Sequence, residues 1–366
     1  MEETMSLQEK LLQHLKQLTS IPAIPNHEEK VATYMKENML AYADEIVEDN
    51  LGSVFALKKS KNKDALKVMV AGHMDEVGFV VKDVNSAGSI KISPAGGWWS
   101  QVLMASPISL YNKENRRFKG VIGSIPPHLL TEEKRKSVVE IEDLLVDIGA
   151  TSKEEVEQMN IEVGDMIVLD GEFEMLANNK RIMAKAIDNR YGCAMSITLL
   201  EALKDVELPY DLYIGATVQE EVGLRGAQTA SHMINPDVAV VFDCSPANDA
   251  DGNKTELGHL GKGVLLRFVD RSMMPNRCFL NLLKSTCEQH KIPHQYYLSL
   301  GGTDAGSIHK NNIGVATLSL CVCARNIHTN HSILDLNDLN HAYQAAYHLL
   351  SELSSDTIID MIKCNQ

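Results

Sequence analysis

The chain has 366 residues, 44% hydrophobic and 23% charged, an ordinary globular balance long enough for one large domain with a smaller one, or two of similar size. Its 35 basic and 49 acidic residues leave a net charge of −14, which argues against nucleic acid and anionic membrane as partners. No unbroken apolar stretch approaches the roughly 18 residues that a bilayer span needs. The opening MEETMSLQEKLLQHLKQL lacks the basic start and continuous apolar run of a secretion signal.

In chain order, 6–20 and 27–42 read as helices, the second with Asn26 as N-cap and Glu29 in the capping-box place. Short strands follow at 45–47, 54–58 and 66–71. From about 78 to 180 the pattern changes to short alternating strands (VGFVVKDV, SIKISP, PISLYN, FKGVIGSI, DMIVLDGEF) punctuated by Gly, Pro and Asn. One helix interrupts them at TSKEEVEQM, with Ser152 as N-cap and Glu155 three residues on. Trp98 and Trp99 in this segment fit either an interface or a core. After about 184, buried strands (DLYIGATV, VAVVFD, VATLSLCV) alternate with helices predicted at 189–204, 226–234, 276–290, 305–311 and 336–354. The reading is an α/β domain, 1–77 plus 181–366, with a largely parallel or mixed sheet and helices on both faces. A small β-rich domain, 78–180, is inserted in it.

The seven cysteines are odd in number and follow no paired spacing, so free thiols in a reducing cytosol are expected, and with them a cytoplasmic location. Cys321 and Cys323 fall on one face of a strand and read as buried core thiols.

Several apolar strands run into metal-type side chains. LKVMVAG leads to His73, DLYIGATVQ to Glu220 and Glu221, VAVVF to Asp243, and VATLSLCVCARNI to His328. Ligands of an open α/β sheet gather beyond the carboxyl ends of its strands, so these positions should converge. Asp188, where an extended segment turns into a helix, is either a fifth member or a simple N-cap. Two imidazoles and three carboxylates suit Zn²⁺, Co²⁺ or Mn²⁺ and outnumber the three ligands of a single catalytic zinc; the count fits two divalent ions sharing a carboxylate. Adjacent residues in an extended chain point apart, so one carboxylate of the Glu220–Glu221 pair can hold metal while the other faces water as general base. Asp75, in the H-x-D of AGHMDEVG, can orient the His73 ring. His331, in IHTNHS, competes with His328 as the last ligand, and spacing does not separate them.

The motifs AGHMDEVGF, GVIGSIPPH, VDIGATSKEEV, KAIDNRYG, EEVGLRGA, FDCSPA, GGTDAG and RNIHT, in this order along the whole chain, resemble those of the glutamyl aminopeptidases and tetrahedral (TET-type) aminopeptidases, dinuclear metallopeptidases. The resemblance implies that His73 and Asp243 hold one ion, Glu221 and His328 the other, and Asp188 bridges them. Glu220 would be the general base and Asp75 would orient His73. It further implies a PDZ-like or barrel-like dimerisation role for the insertion, short peptides as substrates, and homo-oligomeric dimers that build a hollow dodecamer. Asn189, where the family often has a second Asp, and Asn326, Thr329 and Asn330 near the last histidine depart from the pattern. A preference for N-terminal Glu or Asp is carried over from the glutamyl branch, with Arg267 and Lys310 as substrate-binding cations. The rival classes are a dinuclear deacylase or carboxypeptidase on the same scaffold, and a non-catalytic metal-binding scaffold protein.

Overall fold

The computed structural model describes residues 5–254 and 257–364; the first four residues of the segment read above for a secretion signal lie outside them. The main sheet has eleven strands: β1 (Glu45–Glu48), β2 (Val54–Lys58), β3 (Lys67–His73), β10 (Glu174–Met175), β11 (Arg181–Ala184), β12 (Asp211–Thr217), β13 (Val238–Ala247), β14 (Val264–Val269), β15 (His294–Leu298), β16 (Ala316–Arg325) and β17 (Ser332–Asp335). The spatial order is β1-β2-β12-β3-β13-β16-β17-β11-β10, and the sheet forks at β16, which also pairs with β14 and, through it, β15. The four central strands, β12, β3, β13 and β16, are mutually parallel, while the flanks are antiparallel except for the β14–β15 pair.

The helices are α1 (Leu7–Ser20), α2 (Glu29–Met39), α3 (Glu132–Lys136), α4 (Lys153–Gln158), α5 (Ile187–Ala202), α6 (Arg225–Ile234), α7 (Arg277–Gln289), α8 (Ala305–Ile308), α9 (Leu336–Glu352) and α10 (Ser355–Lys363). The apolar run of β3 is divided by the period of two. Val68 and Val70 belong to the apolar core that also holds residues of α1, α5, α7 and α9, whereas Met69 and Ala71 belong to the core on the other face, with residues of α6 and α8. The same split places Val238, Val240 and Phe242 on one side of β13 and Ala239 and Val241 on the other. Burying each such Val or Ile contributes about 1.5–3 kcal/mol, and burial on both faces is why these strands read as continuous apolar runs.

Six strands in the middle of the chain, β4 (Gly78–Val84), β5 (Ile90–Ala95), β6 (Pro107–Tyr111), β7 (Arg117–Ile122), β8 (Leu145–Asp147) and β9 (Met166–Leu169), close into a barrel of order β4-β5-β8-β7-β6-β9. Alternate residues such as Phe79, Val81, Ile90, Ile92, Ile108, Leu110 and Ile167 fill it. The barrel's last strand ends at Leu169, and β10, which the expected insertion included, pairs into the main sheet. Trp98 stacks on Phe79 with ring centroids 5.0 Å apart and donates to the Gly78 carbonyl, while Trp99 stays 62% exposed, so the aromatic pair is divided between core and surface.

Some local expectations need correction. Asn26 does not cap α2; it adopts a left-handed φ of 70°, and the helix starts three residues later with Glu28 in the cap position. Helix α8 stops at Ile308 rather than 311. The thiols are not all free: Cys278, in α7, and Cys364, just past α10, form a disulfide across 86 residues, while the other five cysteines are buried and unpaired. The pairing joins two helices whose proximity no sequence spacing reveals.

Candidate active site

Register brings the ligand-type residues together. Thr217 at the end of β12 pairs with His73 at the end of β3. β13 runs beside β3 with Val241 opposite Ala71, so two further residues bring Asp243 alongside His73. Helix α5 approaches β3 so closely that a Cβ on Gly72 would lie 2.7 Å from the Gly192 backbone. Only a residue without a side chain permits this approach, and it delivers Asp188 to the same place.

The distances define one cluster. His73 Nε2 lies 3.3 Å from Asp188 Oδ1 and 3.9 Å from Glu220 Oε2. His328 Nε2 lies 3.6 Å from Asp188 Oδ2 and 3.5 Å from Glu221 Oε1. His73, Asp188 and Asp243 form one set of donor atoms compact enough to hold an ion, Asp188, Glu221 and His328 form another, and His73 also groups with Glu220 and Glu221. Asp188 is common to the first two sets, one carboxylate oxygen facing each histidine, and its buried Oδ1 has no hydrogen-bond partner among the described residues. His331 is exposed and stands in none of these sets among the described residues.

The electrostatics show a site short of positive charge. Burial, with the charge of Asp188, pushes Glu221 up to about 7 and holds Asp243 well above the usual carboxylate range. Burial raises Glu220 strongly, and Glu221, Asp243 and Asp304 add to the rise against the opposing His73. Asp188 is held low despite its burial, because the imidazoles of His328 and His73 adjoin its two oxygens. His328 is raised to about 9 against the effect of its own burial by Asp188 and Glu221. Clustered buried carboxylates of this kind resist ionisation alone and are stabilised by bound cations. The donor chemistry therefore fits two divalent ions.

The supporting contacts include several that sequence reasoning missed. The His73 ring is oriented through Nδ1 by the Asp75 main-chain carbonyl at 3.0 Å, while the Asp75 carboxylate lies 3.5 Å from that nitrogen. That carboxylate instead accepts from the Glu220 and Glu221 amides, both at 3.0 Å, and so fixes the paired glutamates. His328 Nδ1 meets the Gly97 carbonyl at 2.9 Å, a contact from the segment between β5 and β6. Arg190, fully buried, donates to the carbonyls of Leu18, Ile21, Ala23 and Met74, and together with Lys185 it adjoins the Glu76 carboxylate. These groups lock the turn after His73. Their only signal in the sequence is the two cations flanking Asp188 in KAIDNR. Asn189 donates to the Phe242 carbonyl at 2.7 Å, which a carboxylate there could not do. The buried Asp304 meets the Thr217 hydroxyl and is pushed up to about 7 by burial.

The two substrate-binding cations are placed differently. Arg267 is 3% exposed and donates to Ser245, Ser299 and the Gly301 carbonyl, with Asp270 3.5 Å away, so its guanidinium is committed inside the fold. Lys310, beyond the end of α8, is exposed.

The family model described as M42 glutamyl aminopeptidase matches residues 52–344. The glutamyl aminopeptidase of Lactococcus lactis is 37% identical over 352 residues, covering 96% of this chain and 99% of the relative. The TET aminopeptidase of a marine-sediment Thaumarchaeota archaeon superposes with a TM-score of 0.92 at 38% identity, covering 97% of this chain and 100% of that one. The TET1 peptidase of Pyrococcus horikoshii, which can assemble into a tetrahedron or a large octahedral shell, gives 0.82 at 30% identity, covering 94% and 100%. This chain belongs to the M42 glutamyl aminopeptidase family and is an aminopeptidase, a hydrolase of N-terminal peptide bonds.

Proposed function

We propose that the chain releases N-terminal residues, Glu or Asp preferentially, from short peptides at a centre of two divalent cations. In this reading His73 and Asp243 hold one ion, Glu221 and His328 the other, and Asp188 both. The observation that carries it is the sharing of Asp188 between two compact donor sets. When bound, such a cation pair supplies Lewis acidity toward the scissile carbonyl and makes water a better proton donor. Glu220 is the base: it takes a proton from the attacking water and passes it to the departing amine. Asp75 holds Glu220 and Glu221 through their amides, so the two carboxylates keep separate duties. A narrow crevice bounded by Glu76, Val77, Trp98, Asp188, His328 and Asn330 lies beside these groups.

The acidic preference is supported by the glutamyl relative. Arg267 and Lys310 are the two cations proposed to meet the substrate's carboxylate; Lys310 is exposed while Arg267 is enclosed. Homo-oligomerisation into a dodecamer is supported by the TET1 relatives, with the barrel proposed as the dimerisation module, and the proposed location is cytoplasmic. Among the described residues no helix is long and apolar enough to cross a membrane. A panel of aminoacyl and N-acyl p-nitroanilides, run with Zn²⁺, Co²⁺ and Mn²⁺ and paired with a native mass measurement, tests the reading. Turnover of N-acyl substrates alone would replace it with a deacylase, and a monomeric mass would remove the assembly.

A further inference from the structure

Outside the catalytic cluster, three side chains converge that the reaction does not use. His348 and Glu352 stand four residues apart on one face of α9, and His290 caps the C-terminus of α7. His348 Nδ1 lies 3.1 Å from Glu352 Oε1, and His290 Nε2 lies 2.8 Å from the same oxygen. The two imidazoles stack with centroids 3.5 Å apart and planes 12° from parallel, with Tyr347 edge-on to His348. His290 Nε2 is shielded from solvent and, in spite of the short distance, is out of line for a hydrogen bond to that carboxylate or to any other group among the described residues. The three donor atoms are compact enough to surround one ion.

We propose that His290, His348 and Glu352 form a binding site for a single borderline divalent cation of the Zn²⁺ type, separate from the catalytic centre. Two imidazole nitrogens and one carboxylate oxygen are a donor set that Zn²⁺ takes readily, with water completing the shell. Bonds of about 2.0–2.1 Å in a tetrahedral shell require donors about 3.3 Å apart. The observed 2.8 and 3.1 Å lie within about half an ångström of that, and tilting the partly exposed rings out of their stack would aim both lone pairs at one point.

The site is remote from the aminopeptidase chemistry. The carbonyl of Leu350, in the same last turn of α9, accepts from Tyr210, which immediately precedes β12. Glu220 and Glu221 follow the opposite end of that strand, about 20 Å away at about 3.3 Å per residue. A cation here would tie the end of α7 to the end of α9, whereas the disulfide ties the opposite end of α7 to the residue after α10. It would act as a second cross-link in one helical layer, and a stabilising one, because an ion that binds only the folded chain shifts the equilibrium toward it.

The test uses the intact metal-loaded enzyme. Wild type, His348→Gln and Glu352→Gln are dialysed to equilibrium against micromolar Zn²⁺, and bound ions per chain, thermal midpoint and turnover are measured. The expected result is one ion fewer in each variant, turnover unchanged, and a Zn²⁺-dependent rise in midpoint that is larger in wild type than in either variant. Should one variant fold poorly, His290→Gln reports on the same site from the other helix. Equal ion counts in wild type and the folded variants would overturn the proposal, as would a midpoint that responds to Zn²⁺ equally in all of them.

Discussion

Replacing Glu220 by Gln separates metal binding from proton transfer. The amide keeps the shape of the side chain, and the Glu220 main chain stays anchored by Asp75 at 3.0 Å. Its carboxylate lies 3.9 Å from His73, farther than Asp188 at 3.3 Å, and it belongs to neither of the two donor sets that share Asp188. Both ions should therefore remain. The fold should not suffer, because burial first, and then the like charges of Glu221, Asp243 and Asp304, disfavour an ionised Glu220, and a neutral amide escapes both. Turnover should fall by the worth of general base catalysis, about 10²–10⁴-fold, equivalent to about 2.7–5.5 kcal/mol in the activation barrier. The assay is kcat on an aminoacyl p-nitroanilide, with metal content by elemental analysis and a thermal midpoint on the same sample. A near-normal kcat would remove Glu220 from the mechanism. Loss of metal along with activity would show that Glu220 and Glu221 have exchanged roles.

Asp75→Asn leaves one acceptor for two amides and points an NH₂ at the other, so kcat/KM should drop by the equivalent of about 1–3 kcal/mol with metal retained; unaltered kinetics would dismiss the clamp. Lys310→Ala should raise KM for a Glu substrate by no more than the equivalent of about 1 kcal/mol, since an exposed cation is well screened, and leave a Leu substrate unaffected. Arg267→Ala should act through stability instead, because it strands the buried Asp270; a selective change in Glu kinetics with an unchanged midpoint would return Arg267 to the pocket. His14, bonded to Tyr34 at 2.9 Å, has its pKa lowered from 6.5 by burial. Below 6.5 the unfolded chain takes up a proton that the folded chain resists, so stability falls as pH drops through that window toward the lower folded value. His14→Gln should flatten this decline, and a variant whose midpoint falls as steeply between pH 7 and pH 5 would contradict it.

The parts of the fold that could be read from the chain are those where one physical pattern dominates. Strands β3, β12, β13 and β16 are buried on both faces, so their apolar runs stand out, and parallel pairing makes their carboxyl ends converge. That is why His73, Glu220, Glu221, Asp243 and His328 could be collected before any geometry was known. Strands β14 and β15 escaped notice: β15 carries exposed Tyr296 and Leu298 beside buried Tyr297, and its pattern resembles a loop with scattered apolar residues. Helix α10, which starts three residues after α9 ends, lies wholly beyond the helix predicted at 336–354 and went unread. The Asp75 clamp was invisible because it engages main-chain amides, which carry no sequence signature. Arg267 looked like a pocket residue because it stands near the site in the chain's order, and only the fold reveals Ser245, Ser299 and Asp270 around it.

The central claim is that one carboxylate serves two cations, and the most direct measurement is metal content per chain in Asp188→Ala. The unaltered enzyme, stripped by a chelator, should be inactive and should regain activity as it takes up two divalent ions. Asp188→Ala should keep its fold, lose both ions together and stay inactive at any supplied Zn²⁺, Co²⁺ or Mn²⁺. Two retained ions in that variant, or full activity in chelated wild type, would contradict the account.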